Sequence, residues 1–261
     1  MSEFTIIWRS LTARAFSTLT TVALVAVAVA LMAVLLSLRT STERAFQAGA
    51  GNMHMLVTRD ASPLVAVLNS VFYASPPRNP IPMSKVAALV RTYPLEYAIP
   101  VQQGDSYRGS PVLATDKSFF TAFEPVLGRS WELAAGEFFN EDFEMVVGAE
   151  AAAQHLLRPG DTLFVSHGAP SADGAGMEPH VHDEYTFTVV GVLEPTGSPH
   201  DRALFISLKS SWILHAQDRI QRDTPGAPLA TADDLQEVDR VATGVYLRVI
   251  SRGGAAMSGD R

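Results

Sequence analysis

The sequence predicts an α+β protein with a single N-terminal transmembrane helix, followed by a mixed α/β extracytoplasmic domain of two small subdomains. Two observations lead to this fold class. One long uncharged apolar run lies close to the N-terminus of the 261-residue chain, and the remainder alternates short strand-like and helix-like patterns. With 47% hydrophobic residues, the chain has enough apolar surface to build a packed core.

Charge, cysteine content and motifs exclude several classes of protein. The formal net charge is −7, which argues against a nucleic-acid partner because such proteins present a basic face. The chain contains no cysteine, so disulfide scaffolds, thiolate metal sites and cysteine nucleophiles are excluded. The motifs GxSxG, HExxH and GxxxxGK(S/T) are also absent from the sequence. We therefore expect no enzyme, no catalytic residues and no residues that bind an organic cofactor.

The apolar run at residues 15–38 is the first predicted element. It lies between Arg14 and Arg39 and contains no charged residue. A helix of this length is about 36 Å long, enough to cross a hydrocarbon core of about 30 Å. A cleaved signal peptide and a buried core helix are the alternatives, but both usually have shorter apolar runs, and Ser37-Leu38-Arg39 is a poor cleavage site. We expect an uncleaved span in contact with membrane lipid.

Residues 1–14 are predicted to be a cytoplasmic amphipathic segment. Their apolar side chains follow one helical stripe, formed by Phe4, Ile7, Trp8 and Leu11. Both a helix in the headgroup region and a plain extension of the span would show this stripe. Arg9 and Arg14 precede the span, so the positive-inside rule favours a cytoplasmic N-terminus. The bulk of the chain then lies outside the cell inner (plasma) membrane, in the periplasm of a bacterium.

Residues 39–250 are predicted to form the extracytoplasmic domain, with residues 115–210 as an inserted β-rich subdomain and residues 251–261 as a tail. The membrane helix should continue through residues 40–50 and end at Gly49 and Gly51. Further helical patterns, the second with Ser84 as N-cap, occur at residues 62–73, 84–92, 149–157 and 209–219. Strand patterns occur at residues 53–58, 95–103, 112–115, 143–149, 162–166, 185–195, 203–208 and 245–250.

Several of these segments follow each other in a characteristic order. They are WRSLTAR at 8–14, ELAAGEFF at 132–139, FEMVVGAEAAAQHLLRPGDTLFV at 143–165, YTFTVVGVLEPTG at 185–197 and ALFISLKSSW at 203–212. Over about residues 4–250 the sequence resembles the MacB/FtsX-like permease subunits of ABC transporters, and in particular their periplasmic core domain. Glu137 stands in the ELAAGEFF segment where this family more commonly has arginine.

The resemblance implies a mechanical function. Such permeases pair with a cytoplasmic ABC ATPase subunit and form homodimers, and their membrane helices relay ATP-driven motion to the periplasmic domain, which acts on substrate or on a periplasmic partner protein. The permease itself does no covalent chemistry. Family members have four membrane spans, three of them after the periplasmic domain, whereas this sequence ends at Arg261 without them. We expect a fragment, although a truncated gene product or a member split into two polypeptides would look the same.

A polar loop between two strand patterns carries the metal-binding hypothesis. The loop HGAPSADGAGMEPHVHDE begins at His167, and His180 and His182 follow at a spacing that places both on one face of an extended chain. Imidazole together with nearby carboxylates suits Zn²⁺, so His167, His180 and His182 are the predicted metal ligands. The alternative is a solvated loop with chance histidines. Three aspartates beside turns are expected to be solvated, namely Asp105, Asp116 and Asp142.

Two functions therefore compete. The first is a permease subunit of an ABC transport system. The second is a membrane-anchored extracytoplasmic sensor or metal-binding protein that uses the histidine-containing loop. Adjacent aromatic pairs such as Phe119-Phe120 and Phe138-Phe139 would serve a partner surface or the core, and we expect the core.

Overall fold

The computed structural model describes residues 3–77, 79–167 and 180–250. The chain divides into a first unit up to Phe46 and a second unit from Gln47 onward. The first unit contains α1 (Glu3–Ala13) and most of α2 (Ala15–Ala50). Within the described residues, one helical stretch is long and apolar enough to cross a membrane, Ala15–Thr42, with a mean hydropathy of 2.8 and 0% of the apolar window buried. The predicted N-terminal apolar helix is confirmed, and α2 continues to Ala50 as predicted.

The second unit contains the remaining helices and all described strands. Its helices are α3 (Pro63–Ser70), α4 (Met83–Thr92), α5 (Ser118–Thr121), α6 (Ala149–His155) and α7 (Leu208–Asp223). Its strands are β1 (Met55–Thr58), β2 (Ile81–Pro82), β3 (Leu95–Tyr107), β4 (Ser110–Thr115), β5 (Leu133–Gly136), β6 (Glu144–Val147), β7 (Thr162–Leu163), β8 (Ser166–His167), β9 (His180–Val181), β10 (Phe187–Leu193), β11 (Leu204–Ser207), β12 (Val241–Ala242) and β13 (Gly244–Val249).

Eleven of the described strands form one mixed sheet. Its main order is β1-β13-β3-β4-β11-β6-β10-β5, while β7 pairs with β10, and β8 pairs with β3 and β9. The pairs β4–β11 and β6–β10 are parallel, and the other pairs are antiparallel. This mixed α/β domain behind one apolar helix confirms the predicted fold class. The boundaries at 39–250 and 115–210 stay predictions.

Two hydrophobic clusters lie on opposite faces of the sheet, because neighbouring residues of one strand point to opposite faces. Met145 and Val147 of β6 belong to the first cluster, to which α6 and α7 contribute. Val146 belongs to the second, which is rich in aromatic rings. Phe119 and Phe120 of α5 are buried in this second cluster. The expectation that the adjacent aromatic pairs pack into the core is thus confirmed for this pair.

Two local predictions were wrong. Helix α4 begins one residue earlier than predicted, and its N-cap is Pro82, so Ser84 lies inside the helix and does not cap it. The segment 162–166 is two short strands, because β7 pairs with β10 whereas β8 pairs with β3. The chain changes pairing partners between them, where the Val165 carbonyl accepts a hydrogen bond from the His182 amide at 2.9 Å.

Candidate functional site

The first candidate region is the helix junction, which we define as residues 49–53 at and after the end of α2. Gly51 has φ +54, and a Cβ there would lie 1.9 Å from the carbonyl oxygen of Glu124. Only glycine tolerates both the left-handed backbone and this close approach. A Cβ at Gly49 would likewise lie 2.6 Å from the side chain of Val71. The two glycines predicted as the helix end therefore allow the chain to pass close against the domain.

Asn52 holds the helix junction to three parts of the second unit. Its Oδ1 accepts hydrogen bonds from the Tyr97 hydroxyl at 2.6 Å and the Glu124 amide at 3.1 Å, and its Nδ2 donates to the Ala122 carbonyl at 3.0 Å. Its own carbonyl accepts from Arg248 at 3.3 Å. Asn52 is only 5% exposed. These bonds tie the junction to β3, to β13 and to the loop after α5, a role that sequence reasoning missed.

The aromatic cluster beside the helix junction encloses His200. The His200 ring lies edge-on to Phe119 and Phe123, with ring centroids 5.7 and 5.6 Å away, and its Nδ1 is 2.5 Å from the Tyr73 hydroxyl. Burial lowers the pKa of His200 to about 4, against the opposing effects of the Gly49 backbone and of Asp201. His200 is therefore neutral at physiological pH and serves as part of the packed core.

The second candidate region is the histidine cluster, which we define as Asp105, His167 and His215. Asp105 of β3 and His167 of β8 are direct partners in the antiparallel register. His167 Nδ1 donates to Asp105 Oδ1 at 3.2 Å, and His215 Nε2 of α7 lies 3.8 Å from Asp105 Oδ2. One ligand atom from each of the three side chains lies within 4.8 Å of the other two.

The electrostatics of the histidine cluster differ from those around His200. Burial by itself raises the pKa of Asp105, but the His167 hydrogen bond and the surrounding imidazoles outweigh burial, so the pKa is lowered. The hydrogen bond with Asp105 raises the pKa of His167, because it outweighs the opposing effect of burial. Asp105 and His167 thus stabilise each other as a carboxylate beside a protonated imidazole.

Two further side chains face the cluster. His182 is fully buried, with its ring centroid 6.4 Å from that of His167 and its Nδ1 3.9 Å from Asp218 Oδ1. Asp218 Oδ2 lies 4.0 Å from Nδ1 of His215, one turn back on α7. An open cleft lined partly by His167, His215 and Asp218 reaches the cluster from solvent.

The predicted metal ligands are thus partly brought together. His167 belongs to the cluster, His182 lies beside it, and the Cα of His180 pairs with that of His167 in the β8–β9 register. The side chain of His180, like residues 168–179 of the predicted loop, lies outside the described part. The expectation that Asp105 is solvated was wrong, because β3 carries it beneath β8, where its side chain is 4% exposed. Sequence reasoning also missed His215. It could have been noticed because Asp218 follows three residues later, a spacing that places both side chains on one face of a helix.

The chain thus combines one helix that is long and apolar enough to cross a membrane with a mixed α/β domain. A family model described as MacB-like periplasmic core domain matches residues 18–250. The chain therefore belongs to the family of proteins with a MacB-like periplasmic core domain.

Solved structures of two transporter domains are similar to the chain. One is the periplasmic region of MacB from Actinobacillus actinomycetemcomitans, at 11% identity and a TM-score of 0.44, covering 82% of this chain and 83% of that chain. Another is the extracellular domain of the noncanonic ABC-type transporter YknZ from Gram-positive bacteria, at 9% identity and a TM-score of 0.38, covering 69% and 79%. No curated protein matches the chain.

Proposed function

We propose that the chain is the permease subunit of an ABC transport system of the MacB/FtsX type. In this proposal it sits in the inner (plasma) membrane with its N-terminus in the cytoplasm, forms a homodimer and binds a cytoplasmic ABC ATPase. Closure of the ATPase moves the membrane helix, and the helix moves the periplasmic domain, which acts on substrate or on a periplasmic partner. The protein catalyses no covalent step.

The observation that carries the proposal is the helix junction in a domain of this family. Helix α2 runs without interruption from Ala15 to Ala50, and the buried Asn52 follows two residues later. A force arriving along α2 meets the domain through the hydrogen bonds of Asn52 to Tyr97, Ala122 and Arg248, which belong to separate elements. Such a buried and satisfied polar network resists deformation, because breaking it leaves several desolvated groups without partners.

A pull-down from membranes tests the transporter proposal. The full-length gene product is tagged at its N-terminus, membranes are solubilised in mild detergent, and co-purifying proteins are identified, with untagged membranes as the control. Recovery of an ATP-binding subunit in near-equal amount supports the proposal. Recovery of the intact, folded protein without any ATPase would overturn it.

Protease protection tests the proposed orientation in the same cells. An N-terminal tag should survive protease added to intact spheroplasts, while the domain after residue 50 is cleaved. Permeabilised spheroplasts, in which the tag must also be cleaved, are the control. Loss of the tag in intact spheroplasts contradicts a cytoplasmic N-terminus.

Spin-label distances test the mechanical relay and the homodimer together. Because the chain has no cysteine, Ala87→Cys on the exposed face of α4 introduces a single label. We expect one distance between the two subunits in the nucleotide-free complex and a shifted distance with ATP trapped. Asn52→Ala should reduce the shift while ATPase activity persists, and the exposed Asn140→Ala should leave it intact. A distance that is identical with and without nucleotide contradicts the relay, and the absence of any dipolar coupling contradicts the homodimer.

A further inference from the structure

The histidine cluster brings together two imidazoles and one carboxylate from three separate elements. Asp105 lies on β3, His167 on β8 and His215 on α7, and they are 62 and 110 residues apart from Asp105 in the sequence. The β3–β8 register and the packing of α7 are what bring them into reach of one another. Packing alone does not require such a group, because apolar side chains would fill the same volume without the cost of burying a carboxylate.

The distances in the cluster are close to those of a metal site. Ligand atoms around a tetrahedral Zn²⁺ lie about 3.3 Å apart, given metal–ligand bonds of about 2.0–2.1 Å. His167 Nδ1 lies 3.2 Å from Asp105 Oδ1, and His215 Nε2 lies 3.8 Å from Asp105 Oδ2. One donor atom from each of the three side chains lies within 4.8 Å of the other two. Rotations of these side chains would therefore bring the three donor atoms around one ion. That ion would take the place of the proton that Asp105 and His167 share.

The surroundings of the cluster also suit a metal site. Metal-bound histidines commonly turn their second ring nitrogen toward a carboxylate, which orients the ring. His215 has this arrangement, because Nε2 faces Asp105 while Nδ1 faces Asp218 at 4.0 Å. The side chain of His167 is half exposed, so an ion can reach the cluster from the cleft.

We propose that Asp105, His167 and His215 bind a divalent transition-metal ion, with Zn²⁺ as the best match to two imidazoles and one carboxylate. Three protein ligands leave a fourth position for water or for an exogenous ligand. The bound ion cross-links β3, β8 and α7, and α7 packs on the sheet face opposite the aromatic cluster beside the helix junction. This site goes beyond the proposed transport function and does not depend on it.

Zinc titration of the full-length chain in detergent tests the site. The metal-free protein is prepared with a chelator, and Zn²⁺ is added in competition with a chromophoric zinc indicator at pH 7.5. We expect one ion per chain. His215→Gln and Asp105→Asn should each weaken binding by roughly 100-fold or more, since even outer-shell partners typically contribute 10- to 100-fold. His155→Gln, on α6 and outside the cluster, should bind zinc like the native chain.

Two further measurements keep the proposal falsifiable. His180→Ala and His182→Ala address the ligand set predicted from the loop, and loss of binding in these two variants with full binding in His215→Gln would overturn the proposed set. X-ray absorption of the native zinc complex avoids dependence on variants that fail to fold, and it should report two imidazoles with further oxygen donors. No zinc binding by the folded native chain would also overturn the proposal and leave the cluster as an ion pair.

Discussion

The aromatic cluster around His200 and the histidine cluster around Asp105 lie on opposite faces of one sheet and treat the same type of side chain differently. His200 is enclosed by rings and hydrogen-bonds Tyr73, and burial lowers its pKa to about 4. His167 is half exposed and hydrogen-bonds a carboxylate, which raises its pKa. The aromatic cluster packs its histidine in neutral form among rings, whereas the histidine cluster holds charge and metal-type donor atoms. The residue type alone therefore says little about its role.

The largest expected effect concerns the aromatic cluster. Phe119 is fully buried and its ring contacts those of Trp131, Phe205 and His200. Phe119→Ala should lower the free energy of unfolding by about 3–5 kcal/mol, because it removes ring contacts and leaves a cavity. Denaturant unfolding measures the change, and Leu127→Ala, at a 65% exposed position, is the control. A loss below about 1 kcal/mol for Phe119→Ala would mean that this face is loosely packed.

The second effect is a pH dependence that His200 imposes. The unfolded chain binds a proton on this ring below its ordinary pKa of 6.5, whereas the folded protein binds it only below about 4. Stability is therefore fully present above pH 6.5 and falls as the pH drops toward 4, by about 3 kcal/mol at most. Unfolding titrations between pH 7.5 and 4.5 should show a shallower pH slope for His200→Gln. Equal slopes for the two proteins would show that the fold does not lower the pKa of His200.

The third effect tests how much the helix junction contributes to stability. Asn52→Ala removes the Nδ2 donor and the Oδ1 acceptor, which accepts two hydrogen bonds. The Tyr97 hydroxyl and the Glu124 amide then lose their partner. The free energy of unfolding should fall by about 2–3 kcal/mol. Asn140→Ala, an exposed asparagine that accepts from Lys117, should change it by less than about 0.5 kcal/mol. Similar losses in both variants would contradict a specific junction.

The smallest effect concerns the histidine cluster without metal. In the presence of a chelator, Asp105→Asn should lower the free energy of unfolding by only about 1 kcal/mol, because the amide keeps a hydrogen-bond acceptor for His167 and no longer buries a charge. Thermal unfolding in chelator measures it, with Asp142→Asn at a half-exposed position as the control. A loss of more than about 3 kcal/mol would mean that the histidine cluster contributes as much to the free energy of unfolding as the aromatic cluster does.

Local sequence patterns predicted most of the scaffold. The uncharged run and its continuation to Ala50, the strand patterns that became β6, β10 and β11, and the helix that became α7 all depend on composition and periodicity within short windows. The boundaries of short elements were less predictable. The chain between β7 and β8 switches from one strand partner to another, and no local signal marks such a switch.

The candidate sites could be predicted only in part, since their residues meet through tertiary packing. His167 was predicted because histidines are dense in its loop. Asp105 and His215 were not, because the β3–β8 register and the orientation of α7 decide their contacts. Asn52 was missed for the same reason, as its partners lie between 45 and 196 residues away in the sequence.

The pairing of β1 with β13 has a mechanical consequence. These are the first and last strands among the described residues, and Met55 at the start of β1 pairs with Leu247 near the end of β13. Because the strands are antiparallel, a force that pulls these two chain ends apart loads their hydrogen bonds one after another, like the opening of a zipper. A force that moves both ends together loads none of them. The domain should therefore be displaced as one body when both strand ends move together, and be peeled open when they part.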